Sequence, residues 1–129
     1  MSKMYEVYKC ENCSCVVMLM DAGNEGLHCC GKDMVHMPEQ TADSSREKHV
    51  PVIEKADGGF TVTVGSTPHP MLEKHWIQWI ELVVDNQRML RELRSGDEPK
   101  AHFSCSIKKP GKMVAREYCN IHGLWRGEK

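Results

Sequence analysis

The sequence predicts an all-β protein: a small cysteine-rich metal module followed by a compact β-domain of sandwich or barrel type. Two observations carry that reading. Five of the seven cysteines fall within residues 1–37. Beyond residue 47, short runs rich in Val, Ile, Phe and Trp are broken by tight Gly- and Pro-bearing turns. A polar stretch, Glu39-Gln40-Thr41-Ala42-Asp43-Ser44-Ser45-Arg46, carries no apolar residue larger than alanine and reads as the linker. The expected domains are residues 1–37 and residues 38–129.

The elements follow in order. Val50 to Lys55 and Phe60 to Val64 flank Ala56-Asp57-Gly58-Gly59, a hairpin signal. Trp76 to Val84 is the longest apolar run, interrupted only by Gln78 and Glu81, and predicts a strand buried on both faces. Asn86 to Arg94 is ambiguous, because Met89, Leu90 and Leu93 sit at helical spacing in a short segment. Ala101 to Ile107 and Met113 to Cys119 predict strands around a Lys109-Pro110-Gly111-Lys112 turn.

The 129 residues carry a formal net charge of −1. Phosphate binding calls for a basic excess, so nucleic acid is not the expected partner. No apolar run approaches the roughly 20 residues of a membrane helix, and the N-terminus shows no signal-peptide h-region. A cytoplasmic location is expected, where thiols stay reduced. Seven cysteines then favour metal binding over disulfides.

Cys10-Glu11-Asn12-Cys13 is a C-x-x-C knuckle, and Cys29-Cys30 completes a set of four after 15 intervening residues. Two residues between cysteines let one turn aim both sulfurs at an ion, and four thiolates suit zinc or iron. Adjacent side chains in an extended chain point apart, so chelation by Cys29 and Cys30 together requires a local turn, which His28 before and Gly31 after would allow. Cys15 has no place in a four-ligand set and is expected to be a small buried residue.

A second constellation comes from three separated stretches: His49, His69, His75, Cys119 and His122. His69 lies between Pro68 and Pro70, which stiffens the loop that presents it. His75 stands just before the long apolar run, and Cys119 with His122 forms a C-x-x-H pair. Four imidazoles and one thiolate fill five positions around one metal and leave a sixth open. His28, His36 and His102 lack such a setting and are expected to be ordinary histidines. The nine methionines show no repeated M-x-x-M pattern and read as core filler.

The adjacent Cys29-Cys30 pair resembles the desulforedoxin module, a small relative of rubredoxin that holds one iron in four cysteines. Such modules usually carry glycine after the second cysteine, where a positive φ is easy, and Ser14 stands there instead. The stretches EKHVPVIEK (Glu47–Lys55), HPMLEKHW (His69–Trp76) and AREYCNIHG (Ala115–Gly123) extend the resemblance to the desulfoferrodoxin family over essentially the whole chain.

That resemblance implies a two-iron superoxide reductase with an immunoglobulin-like β-sandwich over residues 38–129. One iron would sit in Cys10, Cys13, Cys29 and Cys30. The other would sit in His49, His69, His75 and His122, with Cys119 as the axial thiolate. The resemblance further implies Lys48 as a cation steering superoxide and Glu47 as a carboxylate that closes onto ferric iron. It also implies rubredoxin or a similar small electron donor, and a homodimer. Two other readings use the same residues: a non-catalytic iron electron carrier, and a zinc-ribbon adaptor that ignores the histidines.

Overall fold

The computed structural model describes residues 4–21, 23, 26–42, 48–65 and 69–129. Among them every regular element is a strand, so no helix is long and apolar enough to cross a membrane. The chain divides into two compact units, Met1–Pro38 and Glu39–Lys129.

The first unit is built from short strands. β1 (Val7–Lys9) lies between β2 (Val16–Met18) and β5 (Val35–Met37), antiparallel to both. β3 (His28–Cys29) and β4 (Lys32–Asp33) form a separate hairpin, with Cys29 opposite Lys32. Its two-residue turn is Cys30-Gly31, with φ of 54° and 73°. Two successive positive φ values define the turn that matches the twist of a tight hairpin. This is the local turn that an adjacent cysteine pair requires. Among its described residues, Val7 and Cys10 are the buried apolar side chains, at 0% and 3% exposure.

The second unit is a β-sandwich of immunoglobulin-like type. One sheet has three strands, Lys100–Ser104, Gly59–Val64 and Pro51–Ala56 in spatial order, and the other four, Gly123–Glu128, Met113–Cys119, Ile77–Val84 and Gln87–Glu92. β6 (Pro51–Ala56) and β7 (Gly59–Val64) form the predicted hairpin, with Gly58 at φ 74° in its turn. β8 (Ile77–Val84) pairs with β9 (Gln87–Glu92) and with β11 (Met113–Cys119), and β11 pairs in turn with β12 (Gly123–Glu128). β10 (Lys100–Ser104) joins β7 in the opposite sheet.

Ile53, Phe60, Val62, Val64, Ala101 and Phe103 from one sheet meet Ile77, Ile80, Leu82, Val84, Met113 and Ala115 from the other. The strands alternate inward and outward as the pleat demands. A bulge between Tyr118 and Cys119 shifts the β8–β11 register, so Ile77 and Ile80 both face the core.

Two expectations change. The segment with helical spacing is strand β9, because cross-strand pairing with β8 outweighs a short run's weak local preference. The segments flanking Lys109–Lys112 are not a hairpin: β10 ends at Ser104 and lies in the other sheet from β11, so the intervening loop crosses between sheets.

The strand predicted to be buried on both faces owes its outer burial to charge. Glu81 is fully buried on the face away from the core. It accepts hydrogen bonds from Arg116 Nε at 2.8 Å and Nη2 at 3.0 Å, Arg88 Nη1 at 2.6 Å and Trp79 Nε1 at 3.0 Å. Four donors satisfy a carboxylate that would be costly to bury bare. Arg116 stands directly opposite Glu81 across the β8–β11 ladder, and the stacked pair Trp79 and Tyr118 lies one step along.

Candidate metal centres

Cys10, Cys13, Cys29 and Cys30 each present a sulfur to one locus, all four within 4.8 Å of one another. Cys13 Sγ lies 3.5 Å from Cys29 Sγ, and Cys29 Sγ 3.9 Å from Cys30 Sγ. An ion held tetrahedrally at about 2.3 Å by sulfur sets its ligands about 3.8 Å apart, so the donor set fits zinc or iron.

The knuckle is shaped by its backbone. Ser14 N–H bonds to Cys10 O at 2.9 Å, Cys10 N–H to Cys15 O at 2.8 Å, and Cys13 N–H points at Cys10 Sγ from 3.5 Å. That last contact, from the Cys13 backbone, holds the Cys10 thiol down to about 6. The Cys29 thiol is pushed the other way by the neighbouring Cys13 and Cys10 sulfurs. Four thiolates this close can all ionise only around a cation, which is the chemical signature of a metal site.

Ser14 takes φ 66°, the left-handed conformation that glycine adopts freely. Cys15 is exposed, not buried as expected. Its carbonyl is committed to Cys10 at the knuckle's close, and the side chain is left outside.

The second group gathers His49, His69, His75, Cys119 and His122, again with ligand atoms within 4.8 Å. The four imidazoles follow one another in a closed cycle. Ring centroids are 4.6 Å apart for His49–His69, 5.0 Å for His69–His75, 5.0 Å for His75–His122 and 4.8 Å for His122–His49, each pair edge to face. His49 Nε2 and His69 Nε2 are 3.0 Å apart. Cys119 is fully buried at the edge of the apolar core.

Each donor has its own support. His49 leads into β6 and stacks on Trp125 of β12 at 4.6 Å and 14°. Its approach depends on Gly65, where φ is 78° and any Cβ would collide with the Lys48 carbonyl. His69 sets its Nδ1 2.7 Å from Pro70 O, so the proton sits on Nδ1 and Nε2 carries the lone pair that faces the group. Pro68 lies outside the described residues.

His75 closes a turn in which Leu72 and His75 exchange backbone hydrogen bonds of 2.8 and 3.2 Å. Cys119 ends β11, and His122 follows one turn later, its N–H directed at Cys119 Sγ from 3.4 Å. Asn120 between them ties the two loops: its Oδ1 accepts from Trp76 N–H at 3.0 Å, and its Nδ2 donates to Lys74 O at 3.0 Å.

Four neutral nitrogen donors and one thiolate suit a redox-active transition metal such as iron, and five donors leave a six-coordinate ion one position for a small molecule. Lys48, half-buried, adjoins His49. Glu47 lies outside the described residues. His28, His36 and His102 belong to neither group; they meet Asp33 at 2.7 Å, Glu6 at 2.9 Å and Thr61 at 3.4 Å.

Sequence reasoning passed over Trp125, Gln40 and Asn120. Only Asn120 sits inside a motif, and nothing local marks what its side chain reaches.

Comparison with known proteins agrees over both units. The sequence pattern described as desulfoferrodoxin matches residues 41–128, and that of the desulfoferrodoxin N-terminal domain matches residues 2–37. The chain is 52% identical over 128 residues to a desulfoferrodoxin of Nitratidesulfovibrio vulgaris, spanning 99% of each. Its fold resembles the crystal structure of the superoxide reductase from Treponema pallidum, with TM-score 0.77 and 28% identity over 98% of this chain and 99% of that one. A superoxide reductase from Archaeoglobus fulgidus, neelaredoxin in its reduced form, aligns with TM-score 0.57 and 39% identity over 70% of this chain and 95% of its own.

Proposed function

Because the chain belongs to the desulfoferrodoxin family, we propose that it is a superoxide reductase that converts superoxide to hydrogen peroxide. The observation that supports this most directly is the closed cycle of four imidazoles with a buried thiolate beside it. Iron held there would supply the redox chemistry, one electron for each superoxide, which with two protons gives hydrogen peroxide.

The chain's residues set the conditions for that step. His49, His69, His75 and His122 are assigned as neutral ligands, which leave the centre positive enough to draw in an anion. Cys119 is assigned as the thiolate ligand, where sulfur adds electron density to the metal. Lys48 raises the local concentration of superoxide and helps place a proton-donating water near the open position. Glu47 is assigned as the carboxylate that would offer ferric iron a hard oxygen donor.

Cys10, Cys13, Cys29 and Cys30 are assigned to the second iron. Their role is structure and dimer assembly first, and electron relay second. Residues 1–37 and 38–129 form the corresponding domains, in a cytoplasmic homodimer re-reduced by rubredoxin or a similar small donor.

The deciding experiment is metal analysis with a visible spectrum, taken before and after one equivalent of superoxide. Two irons per chain, and a new ferric absorption formed at the second site with release of peroxide, are expected. Zinc in place of iron, or ferrous protein that ignores superoxide and shows no change with cyanide, would overturn the proposal.

A further inference from the structure

His122 differs from the other three imidazoles in being exposed, whereas His49 and His69 are buried and His75 is half-buried. The His122 ring meets its neighbours His49 and His75 on one side but lies at the surface, so hydrogen bonds to its backbone add to what packing supplies. The His122 carbonyl receives two of them. Trp125 Nε1 donates at 3.2 Å, and Gln40 Nε2 donates at 2.8 Å from 82 residues earlier in the chain.

Gln40 is placed to do this by its backbone. It forms a parallel bridge with Trp125 on the free edge of β12: Gln40 N–H bonds to Leu124 O at 3.0 Å, and Arg126 N–H bonds to Gln40 O at 2.8 Å. The side-chain amide also reaches Leu124 O at 3.3 Å. Both neighbours are carbonyl oxygens, so the nitrogen of the amide must face them. Glu39 secures the same segment differently, through ion pairs with Arg116 at 3.2 Å and Arg126 at 3.8 Å.

We propose that Gln40 is a positioning residue of the second metal centre, whose side-chain amide fixes the His122 carbonyl and so helps hold the most exposed of the four imidazoles. Trp125 secures the same carbonyl while stacking on His49, so one oxygen couples two ligands. Loss of the Gln40 amide lets the Cys119–His122 turn relax, while the backbone bridge, which any residue can make, persists. The proposal rests on the superoxide-reductase reading only in taking the second site to hold iron.

The test compares Gln40→Ala with Glu39→Ala in the iron-loaded full chain. Two readouts need no turnover: the thiolate-to-iron charge-transfer band of the oxidised protein, and the rate at which second-site iron passes to a chelator. Gln40→Ala is expected to shift or broaden the band and to speed iron release about tenfold. Glu39→Ala is expected to lower the melting temperature but leave band and release rate as in the wild type.

Wild-type behaviour in Gln40→Ala, or equal changes in both variants, overturns the positioning role. Gln40→Met keeps the side chain's length and packing without the amide, and is read by the same criteria if the alanine variant does not fold. Superoxide consumption by the wild type is scored separately, so a failure there counts against the function and not against Gln40.

Discussion

The two metal-binding groups are built on opposite plans. The four-cysteine set comes from two turns of a small unit, the knuckle at Cys10–Cys13 and the hairpin turn at Cys30-Gly31, with Cys13 and Cys30 at the surface. Its ligands saturate a tetrahedral ion, and its geometry is stored in backbone conformations such as the positive φ of Ser14 and Cys30. The histidine set draws on loops and strand ends across a sandwich with a substantial apolar core. It buries its thiolate and leaves one imidazole at the surface. A closed, locally encoded site suits holding structure or passing an electron. An incomplete site assembled by tertiary packing suits binding and transforming a small molecule.

The division can be broken by mutation. Cys119→Ser should abolish the thiolate-to-iron charge-transfer band and lower the superoxide rate by at least about 100-fold, while the four-cysteine spectrum persists. A band that survives in that variant would contradict the assignment of Cys119 as ligand. Cys13→Ser is the mirror experiment: iron should fall from two per chain to one, with the superoxide rate intact. If activity disappears as well, the first site takes part in turnover.

Lys48→Ile should slow the bimolecular step about tenfold and flatten its dependence on ionic strength. Parallel salt slopes in wild type and variant would remove the steering role. The smallest effect belongs to the backbone of the first unit. Ser14→Gly relieves a strained φ and should raise its stability by about 1 kcal/mol, measured by thermal melting, with no change at the histidine site.

The same contrast explains what could be read before the structure. Cys10 and Cys13, His69 and His75, and Cys119 and His122 are near in sequence as well as in space, so spacing exposes them. The hairpin at Asp57-Gly58 and the core strand at Ile77–Val84 were visible for the same reason, since turn chemistry and apolar pattern are local. Glu81 read only as a polar interruption, because its partner Arg116 is set by the β8–β11 register 35 residues away. Gln40 lay inside a stretch read as plain linker. Its contact with His122 exists only because the free edge of β12 accepts one more segment of chain.

The complete burial of Cys119 has a chemical consequence for the molecule's working life. Hydrogen peroxide converts accessible thiolates to sulfenic and higher acids, and sulfinic damage is seldom repaired. The protein thus manufactures a poison for sulfur while, on the proposed assignment, depending on one sulfur to do so. Cys119 belongs to the apolar core and is the cysteine least open to attack, whereas Cys13, Cys15 and Cys30 stand in the open. Wear from accumulated product should therefore mark the first unit before it reaches the centre that generates it, an order that mass spectrometry of ageing enzyme would record.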